Sequence, residues 1–79
     1  MTDAEILDGI VAVAREHVGF EGALRPEMRL VEDLQLDSLQ ALTLAVEVEN
    51  RFKVRLDGEE DAGVATVGEL VAAVRRRLD

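Results

Sequence analysis

The stretch that decides the fold is Leu34-Gln35-Leu36-Asp37-Ser38-Leu39-Gln40. It contains the only serine of the 79-residue chain, and it lies where an irregular segment gives way to residues with helical periodicity. Asp37 or Ser38 can cap the helix that begins here, and Gln40 completes a capping box if Asp37 is the cap. The local pattern therefore predicts a capping role for Ser38.

Capping boxes also mark the first and last predicted helices. The first helix begins near Thr2, with Glu5 as its partner, and should end in a left-handed cap at Gly19. The last helix begins at Thr66 and Glu69. Apolar residues at helical spacing follow each box: Ile6, Leu7, Ile10, Val11, Ala14 and Val18 in the first helix, and Val67, Leu70, Val71, Val74 and Leu78 in the last.

The second helix should run from Asp37 or Ser38 to about Lys53, and its apolar arc covers more than half of its circumference. The main stripe is formed by Leu42, Ala45, Val48 and Phe52. A domain of this size cannot bury so wide an arc, so we expect an exposed edge at Leu39 and Val46 that serves as a contact surface. The alternative is a fully buried central helix.

Residues 19–37 form a long loop without a sustained period, but its apolar side chains predict that it packs against the helices. These side chains are Leu24, Met28, Leu30, Leu34 and Leu36. A helical turn is expected between Leu30 and Leu34, and a short helix near residues 59–63. The predicted fold is all-α: a small four-helix bundle with three main helices, one short helix and a long loop between helices 1 and 2, forming a single domain over residues 1–79.

Composition excludes several classes of function. The chain has 17 acidic against 9 basic residues and a net charge of −8, which disfavours nucleic-acid binding. It has no cysteine, so thiolate metal sites are excluded, and the acidic run at residues 57–61 does not match a calcium-binding loop. The N-terminal residues lack a signal-peptide pattern and no apolar run could span a membrane. We therefore expect a cytoplasmic protein with no membrane partner and no metal.

Ser38 could in principle be a nucleophile, with His17, the only histidine, as its base. The Gly-x-Ser-x-Gly elbow is absent, because Leu36 and Gln40 stand where its glycines would be, and no glycine-rich loop offers an oxyanion hole. We therefore expect no hydrolase activity. A helix N-terminus also stabilises a phosphodiester, so Ser38 is equally suited to carry a phosphate group. Local chemistry does not choose between cap and attachment point.

The wider pattern, Glu32-Asp33-Leu34-x-x-Asp37-Ser38-Leu39 after a long loop and before an amphipathic helix, resembles the acyl carrier protein family. The resemblance covers nearly the whole chain, through to the acidic residues 57–60 and the closing Thr-Val helix. It implies that a phosphopantetheinyl transferase attaches 4′-phosphopantetheine to Ser38, and that Asp37 helps to present the serine. It also implies that the protein catalyses no reaction itself, and that the arm carries acyl groups as thioesters to acyl-loading, condensing or acyl-transferring enzymes.

In such a carrier, which we expect to be a monomer, the acidic second helix docks the partner enzymes. The residues that the resemblance assigns to this face are Leu39, Thr43, Val46, Glu47, Glu49 and Asn50. A further hypothesis is that the apolar interior between the second and later helices shelters the acyl chain. Its candidate lining is Leu44, Val48, Val64 and Leu70.

Several residues depart from the family pattern. Gln35 stands where many members have glycine, and Thr43 occupies a position that is often acidic in fatty-acid carriers. Arg51, Lys53 and Arg55 add a basic cluster at the end of the second helix. Because surface charge selects partners, these differences favour polyketide or other specialised biosynthesis over a standard fatty-acid synthase.

Two alternatives remain open from the sequence. The first is an aminoacyl or peptidyl carrier, although Leu34-Gln35-Leu36 lacks the Gly-Gly that often precedes the serine in peptidyl carriers. The second is an unmodified acidic helical adaptor that binds a protein through the second helix. In the adaptor, Ser38 would only cap the helix.

Overall fold

The structure is a computed structural model that describes residues 1–56 and 64–78. The three predicted main helices are present: α1 (Asp3–Val13), which continues into a π-helical segment (Ala14–Val18), α2 (Ser38–Phe52) and α3 (Val67–Leu78). Within the described ranges, the only strand-like feature is a single bridged residue pair, and no helix is long and apolar enough to cross a membrane. The all-α prediction is confirmed, whereas the short helix predicted near residues 59–63 lies outside the described residues.

A capping box starts α1 as predicted. The Thr2 hydroxyl accepts a hydrogen bond from the Glu5 N–H at 3.2 Å, and the Glu5 carboxylate accepts one from the Thr2 N–H at 2.9 Å. The bond from the Thr2 N–H, assisted by the Thr2 side chain, lowers the pKa of the Glu5 carboxyl. The helix ends at Gly19, whose φ of +71° is the predicted left-handed cap. Its last five residues are π-helical, a widening that apolar spacing does not predict.

A second capping box starts α2. The Asp37 carboxylate accepts a hydrogen bond from the Gln40 N–H at 2.8 Å, and the Gln40 side-chain oxygen accepts one from the Asp37 N–H at 3.1 Å. Asp37 is therefore the N-cap, and Ser38 is the first residue inside the helix. Of the two candidates that the sequence allowed, the structure selects Asp37, because its extended backbone aims the carboxylate back at Gln40.

The three helices enclose an aliphatic core. Its largest fully buried side chains are Ile6, Ile10, Leu44, Val48, Val67 and Val74. The loop between α1 and α2 adds Leu24, Leu30, Leu34 and Leu36, all buried. The prediction of a packed loop is thus confirmed. The expected turn between Leu30 and Leu34 is also present. It is closed by a hydrogen bond of 2.9 Å that the Asp33 N–H donates to the Arg29 carbonyl.

The loop is fastened to the start of α3 by backbone hydrogen bonds beside an antiparallel bridge between Arg29 and Thr66. Three backbone N–H groups donate hydrogen bonds of 2.9 Å to carbonyl oxygens across this contact: Leu30 to Ala65, Val67 to Met28, and Gly68 to Pro26. At Gly68 the loop comes so close that an added Cβ would lie 3.0 Å from the Pro26 carbonyl oxygen. A single bridged pair has no period-two pattern, so the sequence did not indicate it.

Left-handed backbone outside glycine occurs at Gln35 and Lys53, with φ of +58° and +57°. We predict that Lys53→Gly raises the free energy of unfolding by roughly 0.5 kcal/mol, because relief of the strained conformation exceeds the added freedom of the unfolded chain. The opposite change, Gly19→Ala, should lower it by about 1 kcal/mol. Urea denaturation measures both values.

Ala72→Gly is the matched control, because Ala72 is an exposed α3 residue in ordinary helical backbone. This substitution should lower the free energy of unfolding by about 1 kcal/mol. Equal losses for Lys53→Gly and Ala72→Gly would contradict the left-handed strain.

The α2 cap generates a second prediction. Asp37→Ala should lower the free energy of unfolding by about 1 kcal/mol, because the Gln40 N–H loses its acceptor. Ser38→Ala should change it by no more than a few tenths of a kcal/mol, because alanine is a good helix former and the cap is unaffected. Urea denaturation of the two variants compares the neighbours directly. A larger loss in Ser38→Ala would mean that Ser38, not Asp37, holds the helix start.

Candidate functional site

The candidate site is the exposed first residue of α2. Ser38 is exposed, and no atom of the described residues hydrogen-bonds its hydroxyl. The Asp37 carboxylate already accepts the hydrogen bond from the Gln40 N–H, so the Ser38 hydroxyl is not needed to cap the helix. The structure therefore combines in one residue the accessibility that an attachment point needs with freedom from capping.

The electrostatics of this position favour an anion. The first N–H groups of an α-helix have no partner within the helix, and the helix dipole concentrates partial positive charge there. A phosphate ester on Ser38 would lie beside these groups. This fits a phosphate-linked cofactor, although Asp37, one residue earlier, places one carboxylate next to the same positive end.

Buried and exposed residues alternate along the end of the loop, and the alternation stops at Ser38, which is exposed because α2 begins there. Leu34 and Leu36 are buried, whereas Gln35 and Asp37 are exposed. The Leu36 N–H also donates to the Leu30 carbonyl at 3.3 Å, which holds the segment against the loop turn. Gln35 takes the left-handed backbone that glycine adopts without strain. This explains in physical terms why glycine suits the position.

The predicted docking residues share the outward face of α2. Leu39, Val46 and Asn50 are exposed, while Thr43, Glu47 and Glu49 are half-buried at its borders (these six are the predicted set). The expected exposed edge is thus present, and the alternative of a fully buried helix is wrong. The structure corrects one assignment: Leu42, which we placed in the buried stripe, is 60% exposed. Leu39, at 71%, and Val46, at 41%, complete the same stripe.

A cavity of about 220 Å³ opens beside α2 on the side nearest Ser38. Its lining is Leu30, Ala41, Leu42, Leu44, Ala45, Leu56, Val64 and Leu70. Three of the four residues expected to line an acyl shelter are among them; the fourth, Val48, is fully buried and does not reach the cavity. Ala41, Leu42 and Ala45 follow Ser38 by three, four and seven residues, so they share its side of the helix.

The arrangement does not support a serine–histidine pair. His17 Nε2 lies 3.6 Å from Glu47 Oε1. Glu47 follows Ser38 by nine residues, which is about 14 Å along the helix axis. General-base activation needs hydrogen-bond contact between the two side chains. The π-helical segment thus places His17 against the middle of α2, and its role there is an ion pair between helices when the imidazole is protonated.

Among the described residues, no group of three or more His, Cys, Asp or Glu side chains is placed to hold a metal ion. The acidic run at residues 57–61 lies outside them. Sequence reasoning missed two features of the site: the exposure of Leu42, and the pairing of Arg29 with the acids before Ser38. Arg29 Nη1 lies 2.9 Å from Glu32 Oε2, and its N–H donates to Asp33 Oδ2 at 2.7 Å. Their three- and four-residue spacings were the available signal.

Comparison with known proteins identifies the family. Residues 8–74 match the family model described as a phosphopantetheine attachment site. The chain is 37% identical over 79 residues to acyl carrier protein 2 of Ralstonia nicotianae, covering 99% of this chain and 98% of that protein. It is 36% identical over 77 residues to the meromycolate extension acyl carrier protein of Mycobacterium tuberculosis, and the alignment covers 96% of this chain and 67% of that protein.

A third relative, the acyl carrier protein of Kineococcus radiotolerans, is 31% identical over 74 residues, covering 92% of this chain and 91% of that protein. The family match includes the second half of α1, the loop that presents Ser38, the whole of α2 and most of α3. The chain therefore belongs to the phosphopantetheine-attachment family of acyl carrier proteins.

Proposed function

We propose that Ser38 is the residue to which the phosphopantetheine arm is attached, and that the loaded protein carries acyl groups without catalysing a reaction itself. The observation that carries this proposal is the exposed Ser38 hydroxyl at the start of α2, released from capping by Asp37. We expect the carrier to work in the cytoplasm, where coenzyme A is available.

Loading requires one substitution at phosphorus. The Ser38 oxygen attacks the coenzyme A phosphorus nearest the pantetheine, and a new O–P bond forms. The P–O bond to the leaving 3′,5′-ADP breaks, and the serine proton passes to a base of the transferase. The first N–H groups of α2 face the charge that results at Ser38. The arm supplies a thiol for thioester formation, which this cysteine-free chain does not have.

We further propose that partner enzymes dock on the outward face of α2, which begins at Ser38, and that their cargo is an acyl chain of a specialised pathway such as polyketide biosynthesis. Similarity to a meromycolate extension carrier supports a specialised acyl pathway. It also favours an acyl over an aminoacyl group, since the relatives are acyl carriers. The neutral Thr43 on the docking face is consistent with a partner other than a basic fatty-acid enzyme.

Loading is the direct test. We predict that incubation with coenzyme A and a broad-specificity phosphopantetheinyl transferase adds the mass of one phosphopantetheine to the protein, and that Ser38→Ala abolishes the gain. Trypsin should place the added mass on residues 30–51, where Ser38 and Thr43 are the only hydroxyl side chains. Thr43→Ala is the matched control and should load. An unmodified protein, under conditions that load a reference carrier, would favour the adaptor alternative.

The cavity generates a separate prediction about the cargo. If the chain bends from Ser38 into the cavity beside α2, lengthening the acyl group should shift the methyl resonances of Leu44 and Leu70, which line it. The Ile10 methyls, which are buried in the core but do not line the cavity, are the internal control. NMR spectra of the holo protein and of a short and a long acyl form make the comparison. Spectra that do not depend on acyl length would rule out shelter in this cavity.

A further inference from the structure

Gln35, three residues before Ser38, has a backbone conformation that is unfavourable for glutamine. Its φ of +58° lies in the left-handed region, where the Cβ atom crowds the following carbonyl oxygen. The residues on both sides anchor this conformation, because Leu34 and Leu36 are buried in the core, whereas Gln35 itself is exposed. The fold therefore holds the Gln35 side chain at the surface, at a steric cost that glycine would not incur.

The side-chain amide of Gln35 has no hydrogen-bond partner among the described residues. The other polar side chains of residues 33–43, apart from Ser38, each make a hydrogen bond with the backbone: Asp33, Asp37, Gln40 and Thr43. A primary amide has two N–H donors and an acceptor oxygen. Gln35 is therefore the polar side chain of this stretch that the fold leaves available to a group attached at Ser38.

Reach and charge both favour a contact between Gln35 and an anion on Ser38. Three residues of extended chain span at most about 11 Å, and both side chains are exposed. The carboxylates of Asp33 and Asp37 repel a phosphate ester on Ser38. The neutral Gln35 amide instead offers N–H donors, and hydrogen bonds to an ionised acceptor are about twice as strong as those between neutral groups. The amide is thus suited to bind a phosphate oxygen.

We propose that Gln35 is a positioning residue for the phosphopantetheine arm, and that its side-chain amide donates a hydrogen bond to an oxygen of the phosphodiester on Ser38. This inference rests on the proposed function and adds a second point of attachment beside the covalent one. The bond restricts the directions in which the arm leaves the protein. It also gives a reason for a glutamine at a position where glycine would be less strained.

The side-chain amide resonances report this contact directly, because the chain has only three such groups: Gln35, Gln40 and Asn50. NMR spectra are compared before and after a broad-specificity transferase loads the protein with phosphopantetheine. We expect the Gln35 amide resonances to move on loading, and their exchange with water to slow about threefold to tenfold, as for one net hydrogen bond. Asn50 is the internal control, because it follows Ser38 by twelve residues, about 18 Å along the helix axis. A Gln35 amide that loading leaves unchanged would overturn the proposal.

Two substitutions separate the amide from the backbone strain. Gln35→Met keeps a side chain of similar length in the left-handed backbone but removes the donor, whereas Gln35→Gly removes both the donor and the strain. We expect the phosphorus resonance of the loaded protein to shift in both variants. Asn50→Met is the matched control on the exposed surface of α2 and should leave that resonance in place. The same phosphorus resonance in Gln35→Met and in the unchanged protein would contradict the hydrogen bond.

Stability provides an independent measurement of the same bond. Urea denaturation gives the effect of Gln35→Met on the free energy of unfolding, once for the apo protein and once for the loaded protein. The backbone strain is the same in both forms, so its contribution cancels in the comparison. Because the proposed bond exists only in the folded, loaded protein, Gln35→Met should be more destabilising after loading than before. An equal effect in the two forms would show that the amide does not contact the arm.

The loading step distinguishes failure of this inference from failure of the proposed function. If the unchanged protein gains no phosphopantetheine under conditions that load a reference carrier, both fail. If Ser38 carries the arm and the Gln35 amide stays as it is in the apo protein, only this inference fails. A loaded protein with a shifted and protected Gln35 amide supports both.

Discussion

The reciprocal hydrogen bonds between Asp37 and Gln40 are the constraint on which the site depends. Both bonds that cap the start of α2 are accepted by side chains that lie before and after Ser38 in the chain, those of Asp37 and Gln40. The serine is thereby inside the helix, exposed and without a capping function, while the N-terminal N–H groups remain close to its oxygen. A serine in the capping position would use its oxygen to hold the helix. Moving the cap back by one residue leaves that oxygen available for chemistry.

The loop supplies the second requirement, a fixed approach to α2. Its buried leucines pack into the core, and its backbone is fastened to the start of α3 through the bridge between Arg29 and Thr66. Arg29 takes part in this bridge and also pairs with Glu32. The same residue thus connects the packing of the loop with the charge of the surface beside Ser38. A loop that is long for so small a domain is ordered because it belongs to the core.

Much of this architecture could be predicted from the sequence, because it depends on local patterns. The capping boxes of α1 and α2, the left-handed end at Gly19 and the packed loop follow from residue types at fixed spacings. At the start of α3 only half of the predicted box forms: the Glu69 N–H donates to the Thr66 hydroxyl, which in turn donates to the Glu69 carboxylate. The outward orientation of Leu42 could not be predicted, because apolar spacing shows that an arc is too wide to bury but not which edge the neighbours leave open. The Arg29–Thr66 bridge joins distant segments, and apolar spacing does not distinguish a π-helical from an α-helical turn, so neither leaves a local signal.

We propose that the arm is attached to a serine whose helix cap is independent of it. Proton–phosphorus correlation NMR of the loaded protein tests this most directly, together with hydrogen exchange of the Gln40 amide. We expect a phosphodiester phosphorus coupled to the β-protons of Ser38, and a Gln40 N–H that is as protected after loading as before, because Asp37 still accepts its hydrogen bond. Coupling to another residue, or loss of Gln40 protection on loading, would contradict it.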